Sequence, residues 1–259
     1  MLDGTLKRRL LAGELLLGAW PTQPSPNLIE VCGLLGFDFA FVDAEHSMLN
    51  LETFGDLMRG ADAVGLAVLV RVPRNDPVAM LPYLEAGAAG VVVPHVCSAG
   101  EAKAAVDAVK YYPMGSRGAG SSTRANAYGF RQSAAEYFQR ANEQTIVIPM
   151  VEDAEGVSNI ASIGKVPGVD LVFIGPGDLA LSLGHGGKSG DPEVRAAIDR
   201  AFLDARAAGV RVGTVGYGIE MARQGVDLGA QLLIQSTDLL LAASAKDYLN
   251  SVRSVGTKS

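Results

Sequence analysis

The chain has 259 residues, with 22 basic and 28 acidic side chains and a formal net charge of −6. Its length and its 48% hydrophobic content suit one large domain, predicted to span residues 1–259. Two cysteines, Cys32 and Cys97, and three histidines are too few for a disulfide scaffold or a zinc ribbon, so a reduced, cytoplasmic protein is expected. The acidic balance argues against nucleic-acid partners, and no apolar run approaches the roughly 20 residues of a membrane span.

Eight short apolar runs predict strands that are buried on both faces of a parallel sheet. They cover 15–20, 37–42, 67–72, 90–96, 145–151, 171–174, 211–215 and 231–235. Helical stretches alternate with them at 25–36, 51–65, 76–87, 98–111, 153–164, 192–209 and 218–229, and a further helix near 133–141 lies in the long segment 114–142. The alternation predicts an α/β fold, a single-domain (β/α)8 TIM barrel, with an open doubly wound sheet as the alternative.

The polar residues that follow the strands are the candidates for chemistry, because active sites of this barrel lie at the carboxyl ends of its strands. Reading the sequence just beyond each run gives Asp43, Glu45, His46, Arg71, His95, Glu152 and Asp178, with Tyr217 among the other polar residues found there. Two carboxylates, one arginine and one histidine are therefore expected to converge on one end of the barrel.

Glu152 and Asp178 follow neighbouring strands, so their carboxylates are expected to approach each other. Two carboxylates with open water positions suit a hard cation such as Mg²⁺ or Mn²⁺. The alternative is that both residues cap the helices that follow them.

Arg71 ends a strongly apolar run, and its planar fork suits a carboxylate or an enolate oxygen. A structural ion pair with a barrel acid is the alternative. Asp43 and His46 share one turn, in which Asp43 could hold the imidazole tautomer and make His46 a general base. His95 is expected in a supporting or core position, and His185 in a solvated glycine-rich loop.

The lysines exclude one kind of chemistry. A Schiff-base aldolase needs a lysine on a strand that faces the mouth, and none of the seven lysines falls on a predicted strand. The glycine-rich sequence at 215–218 leaves a phosphate-binding backbone as a weaker possibility.

Several motifs together resemble a known family. They are GFDFAFVDAEH at 36–46, RVPRNDP at 71–77, VP at 93–94, YPMGSRGAG at 112–120, VE at 151–152 and VFIGPGDL at 172–179. In this order they are similar to the HpcH/HpaI metal-dependent pyruvate aldolases, which include 4-hydroxy-2-oxoheptanedioate and 2-dehydro-3-deoxyglucarate aldolases. The resemblance implies a (β/α)8 barrel and reversible cleavage of 4-hydroxy-2-oxo acids to pyruvate and an aldehyde, through a pyruvate enolate bound to a divalent metal. It also implies a homohexamer built as a trimer of dimers.

The resemblance also implies roles for individual residues. Glu152 and Asp178 correspond to ligands of Mg²⁺, Mn²⁺ or Co²⁺, and Arg71 to the residue that stabilises the enolate. His46, with Asp43, corresponds to the acid–base group that acts through a water on the metal. Gly177, beside Pro176, corresponds to the backbone contact with the pyruvate carboxylate, and Met150 lies next to the expected substrate.

Two positions depart from the family pattern, and several alternatives stay open. Met150 stands where the family commonly has glutamine, and Glu85 where it often has aspartate. Met150 removes a hydrogen-bond donor beside the substrate, so altered substrate handling is expected. The alternatives are a citryl-CoA lyase-like or macrophomate synthase-like enzyme and a barrel that binds oxo acids without turnover. The aldehyde partner is left open by the sequence.

Overall fold

The strands form a closed, fully parallel barrel in chain order, and β8 pairs with β1 to complete it. The computed structural model describes residues 3–256, so residues 1–2 and 257–259 of the predicted domain lie outside the described residues. The strands are β1 Leu16–Trp20, β2 Phe39–Asp43, β3 Ala67–Arg71, β4 Gly90–Val93, β5 Ile146–Val151, β6 Val172–Ile174, β7 Val212–Val215 and β8 Leu232–Ser236. All eight predicted strands and the barrel are confirmed, and the doubly wound alternative is excluded.

Helices surround the barrel. They are α1 Thr5–Leu11, α2 Pro26–Leu34, α3 Leu51–Ala63, α4 Pro77–Ala86, α5 Ala99–Val109, α6 Ala134–Gln144, α7 Ala154–Ser158, α8 Ile160–Gly164, α9 Pro176–Ser182, α10 Pro192–Ala207, α11 Gly218–Leu228 and α12 Thr237–Gly256, with a 3₁₀ helix at Arg124–Gly129. Local sequence explains several starts: Asp76 and Asp191 cap α4 and α10 through their side chains, each directly before a proline. None of the described helices is long and apolar enough to cross a membrane.

Two predicted elements differ from the structure for local reasons. The helix expected at 153–164 is divided into α7 and α8, because Asn159 leaves the helical conformation and its side chain donates to the carbonyl of Cys97 at 2.8 Å. The fourth strand ends at Val93 instead of residue 96, since Pro94 has no N–H to donate and His95 has a φ of +54°. The sequence analysis did not predict α1, α9 and α12.

The core has two layers. Side chains that point into the barrel form one cluster, which includes Phe39, Phe41, Leu69 and Phe173. Side chains that point outward pack under the helices in a second and larger cluster. Both faces of each strand are therefore buried, which is why the strands read as continuous apolar runs rather than as alternating ones.

The long segment between α5 and β5 packs at the barrel end opposite the carboxyl ends of the strands. Arg124 donates to the carbonyl of Ala86 at 2.8 Å and pairs with Asp62, so it joins the carboxyl ends of α4 and α3. Arg117 pairs with Glu85 at 3.0 Å and lies 4.6 Å from the ring centroid of Tyr111. Glu85, the second departure from the family pattern, thus holds this segment in place.

Gly18 allows the barrel interior to close. It lies directly opposite Phe39 in the β1–β2 pair, and a Cβ at Gly18 would stand 2.2 Å from Cζ of that fully buried ring. We expect Gly18→Ala to lower the free energy of unfolding by about 1–3 kcal/mol, because the added methyl group overpacks the core. Urea unfolding followed by circular dichroism measures the change.

Gly55→Ala is the matched control for Gly18→Ala. Gly55 lies inside α3, where the nearest atom to an added Cβ is 3.6 Å away, at the end of Arg59. Alanine is the better helix former, so this variant should be neutral or more stable. Equal losses in the two variants would contradict the role assigned to Gly18.

Candidate active site

A buried ion pair joins the ends of β2 and β3. Arg71 donates from Nε to Oδ1 of Asp43 at 2.9 Å and from Nη2 to Oδ2 at 2.6 Å. The two residues are register partners on adjacent strands, and both side chains are buried. Asp43 also accepts the backbone N–H of Glu45 at 3.0 Å, so it holds both the guanidinium and the turn after β2.

The pair sets the ionisation of both partners. Burial alone would raise the pKa of Asp43, but the hydrogen bonds and charge of Arg71 outweigh it and hold that pKa below its usual range. Burial alone would lower the pKa of Arg71, but the hydrogen bonds and charge of Asp43, with the charges of Glu45 and Glu152, outweigh it and raise that pKa above its usual value. Arg71 therefore stays charged in a largely buried position.

His46 lies at the mouth, but its ring is not held by Asp43 as predicted. Asp43 accepts the backbone N–H of His46 at 3.3 Å, while the imidazole Nε2 lies 3.7 Å from Oε2 of Glu45. The ring is 60% exposed and lines the cavity. The carboxylate that faces it is Glu45, because Arg71 and backbone amides occupy the oxygens of Asp43.

His95 takes the supporting position that was one of the two expected for it, because it contacts two carboxylates of the site. Its Nε2 lies 3.1 Å from Oε1 of Glu45, its Nδ1 lies 3.1 Å from Oε1 of Glu152, and its backbone N–H donates to the same Glu152 oxygen at 2.8 Å. Its φ of +54° is uncommon for a residue with a side chain. This backbone conformation directs both the N–H and the ring towards Glu152.

The carboxylate of Glu152 is buried, and only one of its two oxygens is hydrogen-bonded within the described residues. Oε1 accepts from His95, but Oε2 has no hydrogen-bond partner among the described residues. Burial raises the pKa of Glu152 to about 7, and the charges of Asp178 and Glu45 raise it as well, against the opposing effect of His95. A buried, unpaired carboxylate oxygen is costly unless a cation or a proton satisfies it.

The charge of the cluster fits a bound cation. Four carboxylates, from Asp43, Glu45, Glu152 and Asp178, meet a single guanidinium, that of Arg71, and the imidazoles of two histidines lie beside them. No group of three or more His, Cys, Asp or Glu side chains in residues 3–256 is arranged to hold a metal ion. The hard oxygen donors of Glu152 and Asp178 suit a metal that takes its other ligands from water or substrate.

Neither Glu152 nor Asp178 caps the helix that follows it, which was the alternative to a metal site. Asp153, not Glu152, caps α7 by accepting the backbone N–H of Gly156 at 2.6 Å. Asp178 lies in the first turn of α9, where no side chain caps the helix. Gly175 keeps the space beside Glu152 open, since a Cβ there would stand 3.0 Å from Oε2 of Glu152 and 2.5 Å from the end of Met150.

A cavity of about 370 Å³ opens over these groups. Arg71, Pro176, Gly177 and Asp178 line it, with an open position at Gly177. Met150, Trp20 and Tyr217 also line it, and Trp20 lies beside Arg71, whose Cζ is 5.9 Å from the centre of its ring. The sequence analysis placed Tyr217 at a strand end and did not name Trp20, for which its position at the end of β1 was the available signal.

Comparison with known proteins agrees with this geometry. The profile of the HpcH/HpaI aldolase/citrate lyase family matches residues 16–245. This chain belongs to that family. A 2-dehydro-3,6-dideoxy-6-sulfogluconate aldolase of Pseudomonas putida is 35% identical over 233 residues, covering 90% of each chain. A 5-keto-4-deoxy-D-glucarate aldolase of Escherichia coli (strain K12 / DH10B) is 35% identical over 243 residues, covering 94% of each.

A solved structure gives the same result. An HpcH/HpaI aldolase/citrate lyase family protein from Burkholderia cenocepacia J2315 superposes with a TM-score of 0.91 at 34% identity, covering 97% of this chain and 100% of that one. The resemblance stated from the motifs is thus confirmed. As a member of the HpcH/HpaI family with aldolases as relatives, the protein is an enzyme, a carbon–carbon lyase that acts on small molecules.

The remaining histidine and the cysteines of this family member lie apart from the carboxylate cluster. His185 lies in the loop after α9, where its ring contacts Asp191 at 3.2 Å and Glu193 at 3.0 Å instead of being only solvated. The thiol of Cys97 donates to Asp153 at 2.8 Å, and burial and that contact raise its pKa to about 12. Cys32 is buried and free, as expected of an ordinary residue.

Asp43→Asn tests the buried pair. The amide keeps the shape of the side chain but leaves Arg71 without its bidentate partner, so we expect the free energy of unfolding at pH 7 to fall by about 3 kcal/mol. The pKa of Asp43 is lowered in the folded state, so its contribution is complete above its unfolded pKa of about 4 and is lost as the pH falls through the folded value.

Urea unfolding of both proteins over a range of pH measures this. The stability difference between the parent and Asp43→Asn should be constant from pH 7 to about pH 5 and narrow below about pH 4. Asp56→Asn is the control, since Asp56 forms an exposed pair with Arg59 on α3. A difference that stayed constant down to pH 2 would show that the charge of Asp43 is not what stabilises the fold.

Proposed function

We propose that this enzyme catalyses the reversible aldol cleavage of 4-hydroxy-2-oxo acids to pyruvate and an aldehyde. The observation that carries the proposal is the buried Glu152, which has one unpaired oxygen and is subject to the charge of Asp178, at the same mouth as a fixed, charged Arg71. The two curated relatives support it, since both are named as aldolases of keto or dehydro derivatives of sugar acids.

Glu152 and Asp178 would hold a divalent cation, Mg²⁺, Mn²⁺ or Co²⁺. When bound, such an ion acts as a Lewis acid that polarises the keto group of the oxo acid. Carboxylates outnumber cationic side chains in the site, which favours a bound divalent cation there. His95 orients the ligand, because it donates to Oε1 of Glu152 and leaves Oε2 available.

Arg71 would stabilise the enolate. Its Nε and Nη2 are occupied by Asp43, which leaves the donors of Nη1 for an oxygen of the substrate in the cavity. A fixed positive charge at the keto oxygen favours the enolate over the ketone, because negative charge develops there as the reaction proceeds. The pair with Asp43 fixes the guanidinium before substrate binds, so little reorganisation is needed.

The proton movements follow from the exposed ring of His46. In cleavage, His46 acting through a water molecule removes the proton of the C4 hydroxyl. The C3–C4 bond breaks, C4 becomes the aldehyde carbon, and the electron pair passes to C3 as the enolate of pyruvate. Protonation at C3 then gives pyruvate. The reverse reaction removes a methyl proton from pyruvate and returns a proton to the new hydroxyl group.

The start of α9 would hold the pyruvate carboxylate. Gly177 lies in its first turn after Pro176, where backbone N–H groups have no acceptor within the helix. No side chain obstructs the approach, because nothing lies within 4 Å of a Cβ built on Gly177. The N–H of Gly177 would therefore donate to the carboxylate, while Met150 packs beside the substrate.

We also propose that the enzyme works in the cytoplasm as a homohexamer, a trimer of dimers. The support is the apolar surface of α12, where Leu241 is 70%, Tyr248 67% and Val255 74% exposed. Exposed apolar patches of this kind commonly mark interfaces. Light scattering coupled to gel filtration measures the assembly, and a monomer at micromolar concentration would contradict this proposal.

Exchange of the pyruvate methyl protons in deuterated water tests the central reaction. We expect the exchange to require a divalent ion and to stop after chelation, because the enolate forms only when the keto group is polarised. Absence of exchange with Mg²⁺, Mn²⁺ and Co²⁺ would leave a barrel that binds oxo acids without turnover. If pyruvate exchanges its protons but undergoes no aldol reaction with any aldehyde supplied, a different enolate-forming lyase is favoured.

Arg71→Lys tests the enolate role. Lysine keeps the charge but cannot bond Asp43 through a fork while also reaching the substrate, so we expect exchange to slow by about 10²–10³-fold. The matched control is Arg59→Lys in the exposed pair on α3. Circular dichroism confirms that both variants fold. Exchange at the parent rate in Arg71→Lys would move the enolate role to another group.

A further inference from the structure

The lining of the cavity at the mouth combines two kinds of group. Some are the charged groups described above. The others are apolar or aromatic, namely Trp20, Phe41, Met150, Phe173, Tyr217 and Met221, and they border the charged groups where Trp20 lies beside Arg71. A small oxo acid held by Arg71 and Gly177 leaves these apolar and aromatic residues for the other reactant.

Aromatic rings form a continuous surface there. The ring of Trp20 meets that of Phe41 edge-on with centroids 5.6 Å apart, and Tyr217 lies tilted beside Trp20 at 6.3 Å. Phe41 in turn stacks with Phe173 at 6.5 Å. Burial raises the pKa of Tyr217 to about 12, so its hydroxyl adds no charge to this surface at neutral pH.

The cavity lining offers an anionic aldehyde no lysine or arginine beyond the one assigned to the oxo acid. Among the described residues that line it, Arg71 alone is a lysine or arginine, and Asp43 and Glu45 already neutralise it. The divalent ion proposed at Glu152 and Asp178 is offset by those two carboxylates. A carboxylate, sulfonate or phosphate on the aldehyde would therefore lose hydration without gaining an ion pair with a lysine or arginine, which is costly.

Met150 removes hydrogen bonding where a hydroxylated chain would need it. The thioether has no donor and is only a weak acceptor, and it lies in contact distance of the backbone at Gly175, in the centre of the site. Apolar chains and aromatic rings pack well against methionine sulfur. A polyhydroxylated aldehyde would bury hydroxyl groups without partners there.

We propose that the aldehyde partner of this enzyme is uncharged and carries an aromatic or aliphatic chain, which binds on the surface formed by Trp20, Tyr217 and Met150. This inference rests on the proposed pyruvate aldolase function. The chemistry of the cavity wall would thus distinguish this enzyme from aldolases that act on charged or polyhydroxylated aldehydes.

Matched aldehydes test it directly. With pyruvate and Mg²⁺ or Mn²⁺, kcat/KM for aldol addition is measured for butanal against succinic semialdehyde, for propanal against glyceraldehyde, and for benzaldehyde. We expect butanal and benzaldehyde to exceed succinic semialdehyde, and propanal to exceed glyceraldehyde, by at least tenfold. Equal or higher kcat/KM for the charged or hydroxylated members overturns the proposal.

Two variants locate the preference in the wall. Met150→Gln supplies an amide, so the ratio of propanal to glyceraldehyde in kcat/KM should fall at least fivefold; Met48→Gln, at a fully exposed position, is the control. Tyr217→Ala removes part of the aromatic surface, so the ratio of benzaldehyde to propanal should fall, whereas Tyr112→Ala, at an exposed position outside the cavity, should leave it unchanged. Unchanged ratios in both test variants overturn the assignment to this wall.

Proton exchange separates this inference from the proposed function. Metal-dependent exchange of pyruvate by the parent enzyme, together with a preference for charged aldehydes, overturns the inference and leaves the pyruvate aldolase function standing. Absence of exchange overturns the proposed function, on which the inference depends.

Discussion

The bidentate pair between Asp43 and Arg71 is the interaction on which the site depends. It connects the carboxyl ends of β2 and β3 inside the barrel and keeps a charged guanidinium in a place where water is largely excluded. A lone arginine would be unstable there, and a lone aspartate would be protonated more easily. Each partner offsets the cost of burying the charge of the other. The barrel can therefore hold a fixed positive charge at its mouth on a strand rather than on a flexible loop.

The pair extends into a chain of contacts across the mouth. Arg71 approaches Glu45 at 3.3 Å, Glu45 approaches His95, and His95 reaches Glu152. The ends of four neighbouring strands, β2, β3, β4 and β5, are joined in this way. The structural ion pair, one of the two sequence alternatives for Arg71, occupies two of its nitrogens, which leaves Nη1 for the proposed contact with the substrate.

The fold was predictable because continuous apolar runs and their spacing record burial on both faces of parallel strands. The positions of Glu152, Asp178 and Arg71 followed from the same logic, since strand ends converge. The carboxylate that faces His46 and the contacts of His95 were not predictable. Asp43 and His46 share one turn, but Asp43 is the register partner of Arg71 and pairs with it. The sequence does not reveal that His95 adopts a φ of +54°.

The barrel core and the cavity share residues, which ties specificity to packing. Phe41, Phe173 and Met150 belong to the cluster that fills the barrel interior, and they also form the apolar side of the cavity. Gly175 in turn leaves room for Met150, since a Cβ there would stand 2.5 Å from its terminal carbon and 3.0 Å from Cβ of Glu152. A substitution at Met150 therefore changes the packing of the barrel interior as well as the lining of the cavity. The proposed aldehyde subsite is thus linked to the packing of the core, whereas the proposed metal site depends on the charges of Glu152 and Asp178.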